Sequence, residues 1–371
     1  MQQAVLHHFP DIQAIYRFTN RSITTLFSRQ CVERFRMAVS NFSSVFLTES
    51  ELKWLRQTCP HLTPTYLAYL SSYRYKPEQT KINYIPVTWE VPLMACLSEL
   101  YFQVVVVDWS YGHQDNIAYE KAKTLLEANC HFTELGTRPR RSYKAHDIIV
   151  KAMIRASKEV QSTGGFSGTS NVHLAHKYNL RPIGTIAHEW FMGVAALNDY
   201  KDANSTALSL WEEIYGDKNG PLIAVTDTFT TKCFLREFMA EPERAHRWAG
   251  VRHDSGDPFA FAPNVKAMYN SIGIGHESKT LMYSDALTID KCLAIKKQCD
   301  ELGFYKVSFG IGTSLTNDFR SLSDGGKSKP LDIVIKLSSV DSKPCVKLSD
   351  NPTKTTGDKG TVDLVKRIIN L

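Results

Sequence analysis

Two hydrophobic periodicities alternate along this chain. From residue 131 onward, short apolar runs end in Gly, Thr, Ser, Asp or His, and a segment with helical spacing follows each. The runs are His131–Thr137, Gly165–Ser170, Pro182–His188, Leu222–Thr228, Ala249–Asp254, Leu281–Asp285 and Lys306–Thr313. Between them, Ile149, Met153, Ala156 and Val160 form one stripe, and Ile289, Cys292, Ile295, Cys299 and Leu302 form another. That spacing puts side chains on one face of a helix. The stops agree: Gly303 suits a left-handed cap, and Asp257-Pro258 reads as an N-cap with proline at the first helical position. Seven strand–helix steps in series predict an α/β fold with parallel strands. Polar residues end nearly every run. In a barrel all those ends meet at one mouth, whereas an open sheet gathers only those at its switch point, so a barrel is favoured.

The flanks read differently. Ala14–Thr19 alternates like a strand, and Thr48–Ser72 suggests two helices broken at Pro60 and Pro64. Tyr73–Pro92, crowded with prolines, charges and aromatics, reads as an irregular connection, and Tyr101–Trp109, with valines at 104–107, as a buried strand. Leu331–Leu337 and Pro344–Leu348 alternate again and predict a hairpin around Asp341 and Ser342, packed on the first third. The expected division is an N-terminal α+β domain over 1–130, an α/β barrel over 131–325, and C-terminal strands over 326–371 that return to the first domain.

Composition narrows the function class. Over 371 residues, 43% are hydrophobic and 22% charged, which excludes a disordered or collagen-like chain. The net charge of +6 admits a small anionic ligand but is too slight to argue for nucleic acid. No apolar run approaches the roughly 18 residues of a membrane span, and the first ten residues lack a signal-peptide layout. Eight scattered cysteines without a C-x-x-C pair read as reduced thiols, as expected of a cytoplasmic or nuclear protein.

The seven strand ends carry the candidate chemistry. Arg138, Arg140 and Arg141 offer an anion clamp, because guanidinium forks match carboxylate and phosphate oxygens. Gly168-Thr169-Ser170-Asn171 enters a helix whose N-terminus could take an anion, or simply caps it. His188, at the end of Gly184-Thr185-Ile186-Ala187-His188, could be a base, ligand or nucleophile, with Glu189 orienting its ring. No H-E-x-x-H spacing supports a fixed metal there. Thr226-Asp227-Thr228 and Ser284-Asp285 supply acceptors or caps. Arg252-His253-Asp254-Ser255-Gly256-Asp257 combines a cation with acceptors for sugar hydroxyls, and Gly310-Ile311-Gly312-Thr313 can wrap a phosphate without being a P-loop. Each segment has a purely structural alternative. Together they describe a site for a phosphorylated sugar and a second anion.

The loops also resemble a known family. G-T-x-A-H-E-W at 184–190, R-x-D-S-G-D at 252–257, S-F-G-I-G-T-S-L-T-N-D at 308–318, and I-V-I-K-L and V-K-L-S-D in the tail are similar to nicotinate phosphoribosyltransferases, the fungal branch especially. The resemblance spans essentially the whole chain. It implies the irregular (β/α) barrel of the type II phosphoribosyltransferases plus an α+β domain. It also implies conversion of nicotinate and phosphoribosyl pyrophosphate to nicotinate mononucleotide and pyrophosphate, the entry step of NAD salvage, with ATP as co-substrate. By that likeness His188 is a phosphohistidine, with Glu189 and Asp254 as further catalytic residues. Thr185, Arg138 and Arg252 face nicotinate. Ser170, Asn171, Asp227, Ser284, Asp285, Gly310, Gly312 and Thr313 face phosphoribosyl pyrophosphate. Mg²⁺ arrives on the pyrophosphate near Asp227 and is not fixed by the protein alone. A homodimer is implied, each site finished by the partner's N-terminal region, because the family's D-x-Y-K-x-T-M segment, with its stacking tyrosine, would precede Met1. The stretch from Tyr75 to Pro92 is shorter than the family's counterpart. Rival readings are a nicotinamide or quinolinate transferase, a ligand-binding protein that has lost activity, and a metal-dependent hydrolase using His188 and Asp254.

Overall fold

The computed structural model describes all residues except 23, 75–81, 84–85 and 217–221, and only the backbone of 82–83 and 86–89. Its strands are β1 (Gln13–Asn20), β2 (Ile82–Asn83), β3 (His131–Glu134), β4 (Gly165–Thr169), β5 (Ile223–Val225), β6 (Gly250–His253), β7 (Thr280–Tyr283), β8 (Lys306–Ile311), β9 (Ile333–Val340) and β10 (Lys343–Pro344). Six form a parallel sheet in the order β4-β3-β8-β7-β6-β5, and a bridge from Thr169 to Pro182 extends it beyond β4. The chain registers Arg252 with Met282 and Met282 with Ser308 on successive strands. This row faces inward. The alternate row, Val251, Leu281 and Val307, is buried in the main core cluster with Cys292, Ile295 and Cys299 of the helix Ile289–Glu301. The predicted caps are present: Gly303 has φ +83°, and Asp257 accepts the Phe259 N–H.

The second sheet is antiparallel, in the order β10-β9-β1-β2. Its long pairing runs from Ala14 opposite Val340 to Asn20 opposite Ile333, so residues far apart in sequence share one ladder. Asp341 and Ser342 both have positive φ, 43° and 65°, the geometry of a tight hairpin turn whose twist suits the flanking strands. After β10 the tail crosses to the barrel, where the Leu348 N–H donates to the Thr228 carbonyl at 2.8 Å.

Three local expectations are corrected. Tyr101–Trp109 is not a buried strand: a helix spans Pro86–Val104, and Val107 beyond it is 61% exposed. Met94, Leu97, Leu100 and Val104 recur at three to four residues and pack towards Cys31 and Ile333, so the helical period prevails over β-branched content. Part of the Tyr73–Pro92 stretch lies outside the described residues, but from Pro86 it belongs to that helix. In Pro182–His188 only Pro182 pairs as a strand, and His188 is the first residue of the helix His188–Leu197. Among the described residues no helix is long and apolar enough to cross a membrane.

One buried cation fastens two layers. Lys279, just ahead of β7, is 5% exposed and donates to the carbonyls of Ala245, His246 and Trp248 at 2.9, 2.7 and 2.8 Å. These carbonyls end the helix Pro242–Arg247, where the helix dipole favours a cation. Lys279→Met keeps the stem and strands the three acceptors, so it is expected to destabilise the protein by about 2–3 kcal/mol. A urea midpoint within error of wild type would contradict this.

Candidate active site

At the ends of the parallel strands, His188 lies among charged groups from three other segments. The Thr228 hydroxyl is 3.1 Å from Nδ1, and Asp254 Oδ2 is 2.8 Å from Nε2. Asp227 Oδ1 and Lys347 Nζ lie 3.6 and 3.2 Å from the same Nε2. The close carboxylate assigns the proton to Nε2, donating to Asp254, and leaves Nδ1 as an acceptor for the Thr228 hydroxyl. Lys347 then directs its protons to Asp227 Oδ2, 3.1 Å away. Burial lowers the His188 pKa; Asp227 works against this and Lys347 with it, so the ring is neutral. Burial also works against charge on Asp254, yet Arg252, His188 and Lys347 hold it well below the usual carboxylate range. Asp227 is likewise depressed, burial being outweighed by His188 and Lys347.

Arg252 spans the open side of the sheet. From β6 its Nη2 reaches the Ile186 carbonyl at 2.7 Å, while Nη1 meets Asp254 at 3.3 Å and the Ser284 hydroxyl at 3.2 Å. Its Nε is buried and meets no hydrogen-bond partner among the described residues. Ser284 donates to Asp254 Oδ1 at 2.7 Å. Ser255 donates to Asp227, and Ser349 lies 2.8 Å from Ser255. Asp285 pairs with Lys354, whose ammonium also reaches the Asp254 carbonyl at 3.5 Å. Candidate ligand atoms of His188, Asp227 and Asp254 lie within 4.8 Å of one another, the one such metal-binding grouping among the described residues. Lys347 already provides a cation between two of them.

Other predicted site residues lie elsewhere. Both ring nitrogens of His188 are engaged without Glu189, so Glu189 does not orient the ring. Its carboxyl faces Glu90, Lys336 and Arg138 instead; burial, then Glu90, pushes its pKa up to about 7. The arginine clamp does not form. Arg138 pairs with Glu90 at 3.0 Å and Arg140 with Glu99 at 3.5 Å. Arg141 is fully buried, with its guanidinium over the rings of Phe102, Trp109 and Phe319 at 4.0, 5.0 and 4.5 Å. Asn171 caps the helix Val172–Tyr178 through the Leu174 N–H, and the Ser170 N–H donates to the Glu134 carbonyl. Gly310 lies inside β8, where a Cβ would collide with Leu135, so it is a packing glycine and not part of a phosphate loop. Gly312 and Thr313 open a one-turn helix, Thr313–Thr316, at the end of β8.

Residues 130–371 match the Nicotinate phosphoribosyltransferase (NAPRTase) family, and residues 1–95 match its N-terminal domain. The chain belongs to the nicotinate phosphoribosyltransferase family. A nicotinate phosphoribosyltransferase of Methanosarcina mazei is 38% identical over 403 residues, covering 100% of this chain and 95% of that one. One of Saccharomyces cerevisiae is 37% identical over 395 residues, covering 99% and 91%. The crystal structure of nicotinate phosphoribosyltransferase from Porphyromonas gingivalis superposes with a TM-score of 0.89 at 31% identity, covering 99% of this chain and 96% of that one.

Within this family framework, the residues that sequence reasoning missed come mainly from the tail. Lys347, Ser349 and Lys354 reach the site from a stretch read as a returning strand and, in V-K-L-S-D, as a family likeness, with no site role given to these residues. The available signal was a lysine inside the apolar run Cys345-Val346-Lys347-Leu348, an unusual place for a charge without a buried partner. Thr228 was visible only as a helix cap.

The raised pKa of Glu189 makes a pH prediction. A carboxyl that is easier to protonate when folded contributes stability below its unfolded value of about 4.5, and that contribution is lost as pH rises through about 7. Glu189→Gln removes the penalty. The variant should gain on wild type between pH 5 and pH 8 by up to roughly 3 kcal/mol. Parallel unfolding midpoints across that range would refute the assignment.

Proposed function

We propose that this protein transfers the phosphoribosyl group of phosphoribosyl pyrophosphate to the ring nitrogen of nicotinate, releasing pyrophosphate in NAD salvage, with ATP hydrolysis coupled through His188. The supporting observation is the neutral imidazole whose Nδ1 lone pair meets only a hydroxyl while Nε2–H is held by Asp254. Nδ1 attacks the γ-phosphorus of ATP; the N–P bond forms, the bond to the bridging oxygen breaks, and ADP leaves. The ring keeps its Nε2 proton and becomes cationic, and Asp254 and Asp227 stabilise that charge. The new phosphoryl group adds negative charge beside the ring, changing the field met by the second substrate.

Glycosyl transfer needs little covalent help from the protein. An oxocarbenium-like ribose must be held between departing pyrophosphate and the incoming pyridine nitrogen, which is a matter of position and charge. Asp254 and Asp227 suit the ribose hydroxyls. Their oxygens also suit Mg²⁺, a hard cation that keeps several waters and travels on phosphates. When bound, Mg²⁺ neutralises the leaving pyrophosphate. Lys354, held by Asp285, and Thr313, at the end of β8, offer an ammonium and a hydroxyl that suit the phosphates. The unpartnered Nε of Arg252 suits the nicotinate carboxylate and favours the acid over the amide.

The free thiols fit a cytoplasmic or nuclear setting. A homodimer is part of the same reading: Leu26, Met37, Val45 and Phe46 leave much apolar surface exposed on the N-terminal segments. Sedimentation showing only monomer at micromolar concentration, with full activity, would sink that element.

The direct test is conversion of labelled nicotinate to its mononucleotide by phosphoribosyl pyrophosphate, with and without ATP. No product under either condition would refute the function. His188→Asn should abolish acid-labile phosphate incorporation from ATP yet keep slow, ATP-independent transfer. Undiminished labelling would reduce His188 to a positioning role. Arg252→Ala should raise the KM for nicotinate by roughly thirtyfold or more, the loss of about 2 kcal/mol or more from one buried charge contact. An equal effect on phosphoribosyl pyrophosphate would reassign that arginine to the phosphates or the fold.

A further inference from the structure

A cavity of about 1020 Å³ lies away from the mouth that holds His188. It occupies the interior of the parallel sheet and borders the starts of its strands. Barrel interiors are ordinarily filled by layers of bulky branched side chains. Here the lining strand positions include Thr133, Ser167, Thr280 and Ser308, small and hydroxylated, beside the larger His131, Ile223 and Met282, and the interior stays open. Its inner end comes up beside the proposed nicotinate site, Arg252 itself lying just outside the lining. Met282 and Ser308 stand in register with Arg252, and Gly184 and Thr185 line the same space.

The lining has a chemical bias. Arg181 and Lys306 stand at the rim, and among the described residues no Asp or Glu lines the cavity. Tyr66, Trp211, Tyr215 and Tyr305 add aromatic surface. A passage with cations at its rim, aromatic walls, hydroxyls within and a partly unpartnered arginine beyond its inner end suits a small planar aromatic anion. A polyphosphate suits the opposite mouth, where Lys347 and Lys354 lie.

We infer that nicotinate reaches Arg252 through the barrel interior from the N-terminal ends of the strands, while phosphoribosyl pyrophosphate and ATP enter at the opposite mouth. The inference rests on the proposed function and adds a route to it. Two separate doors let nicotinate arrive while the other mouth is already occupied by phosphates.

The route is tested by stopped-flow protein fluorescence, with Trp211 in the wall as reporter and nicotinate as the probe. Ser167→Phe places a ring midway along the passage. It should slow association and dissociation together by about tenfold or more, leaving Kd nearly unchanged, because an obstructed path does not alter the bound state. Unchanged rates would overturn the route, and so would a weaker Kd with unchanged association. Arg181→Glu combined with Lys306→Glu tests the rim without filling the interior. Association should slow several-fold at low salt, on the order of the lower steering effects, and recover near about 0.5 M salt, with phosphoribosyl pyrophosphate affinity unaltered. No salt-dependent change would equally overturn it. Wild-type protein that binds no nicotinate would defeat the proposed function itself, a result distinct from either of these.

Discussion

Two buried carboxylates that must stay ionised beside one histidine set the terms for this structure. Asp227 and Asp254 face His188 from neighbouring strand ends, and like charges so placed cannot both persist without cations. Arg252 and Lys347 meet that need from opposite sides. Arg252 comes from the barrel's own strand. Lys347 comes from a segment almost a hundred residues later, so the electrostatics of the site cannot be completed by the barrel alone.

The antiparallel sheet is how that lysine arrives. Pairing of β9 with β1, followed by the left-handed turn at Asp341 and Ser342, aims the tail at the strand ends. Backbone bonds to Thr228 and side-chain bonds through Ser349 and Lys354 then fix its path. The same residue, Thr228, anchors the tail by its carbonyl and His188 by its hydroxyl. Tail placement and the position of the imidazole are therefore tied to one residue.

Much of the fold was legible because its signals are local. Six of the seven apolar runs became parallel strands, and the caps at Asp257 and Gly303 fell where they were expected. The failures share a cause, since each needed tertiary information. The valines at 104–107 read as strand because their branching is local, whereas the helix containing Met94, Leu97 and Leu100 is selected by what lies across from it. His188, Asp254, Arg252 and Ser284 were legible as polar strand ends and do converge. Glu189 and the three arginines looked equally polar, but which side of the backbone they occupy depends on the partners Glu90, Glu99 and the Phe102–Trp109–Phe319 box. Lys347 was hidden because neutralisation by a distant segment leaves no spacing pattern.

The β1–β9 pairing also bears on how the protein comes into being. A chain emerging from the ribosome can pair β3 with β4, and then β5 through β8 in order, although β3 must wait for β8 before the two parts of the sheet join. The β1 ladder must wait for a partner more than three hundred residues away, and long-range pairing of this kind is slow. Until it forms, Asp227 and Asp254 confront each other without Lys347, and β1 keeps an open edge. Docking of β9 thus completes the antiparallel sheet and carries Lys347 to the two carboxylates in one event.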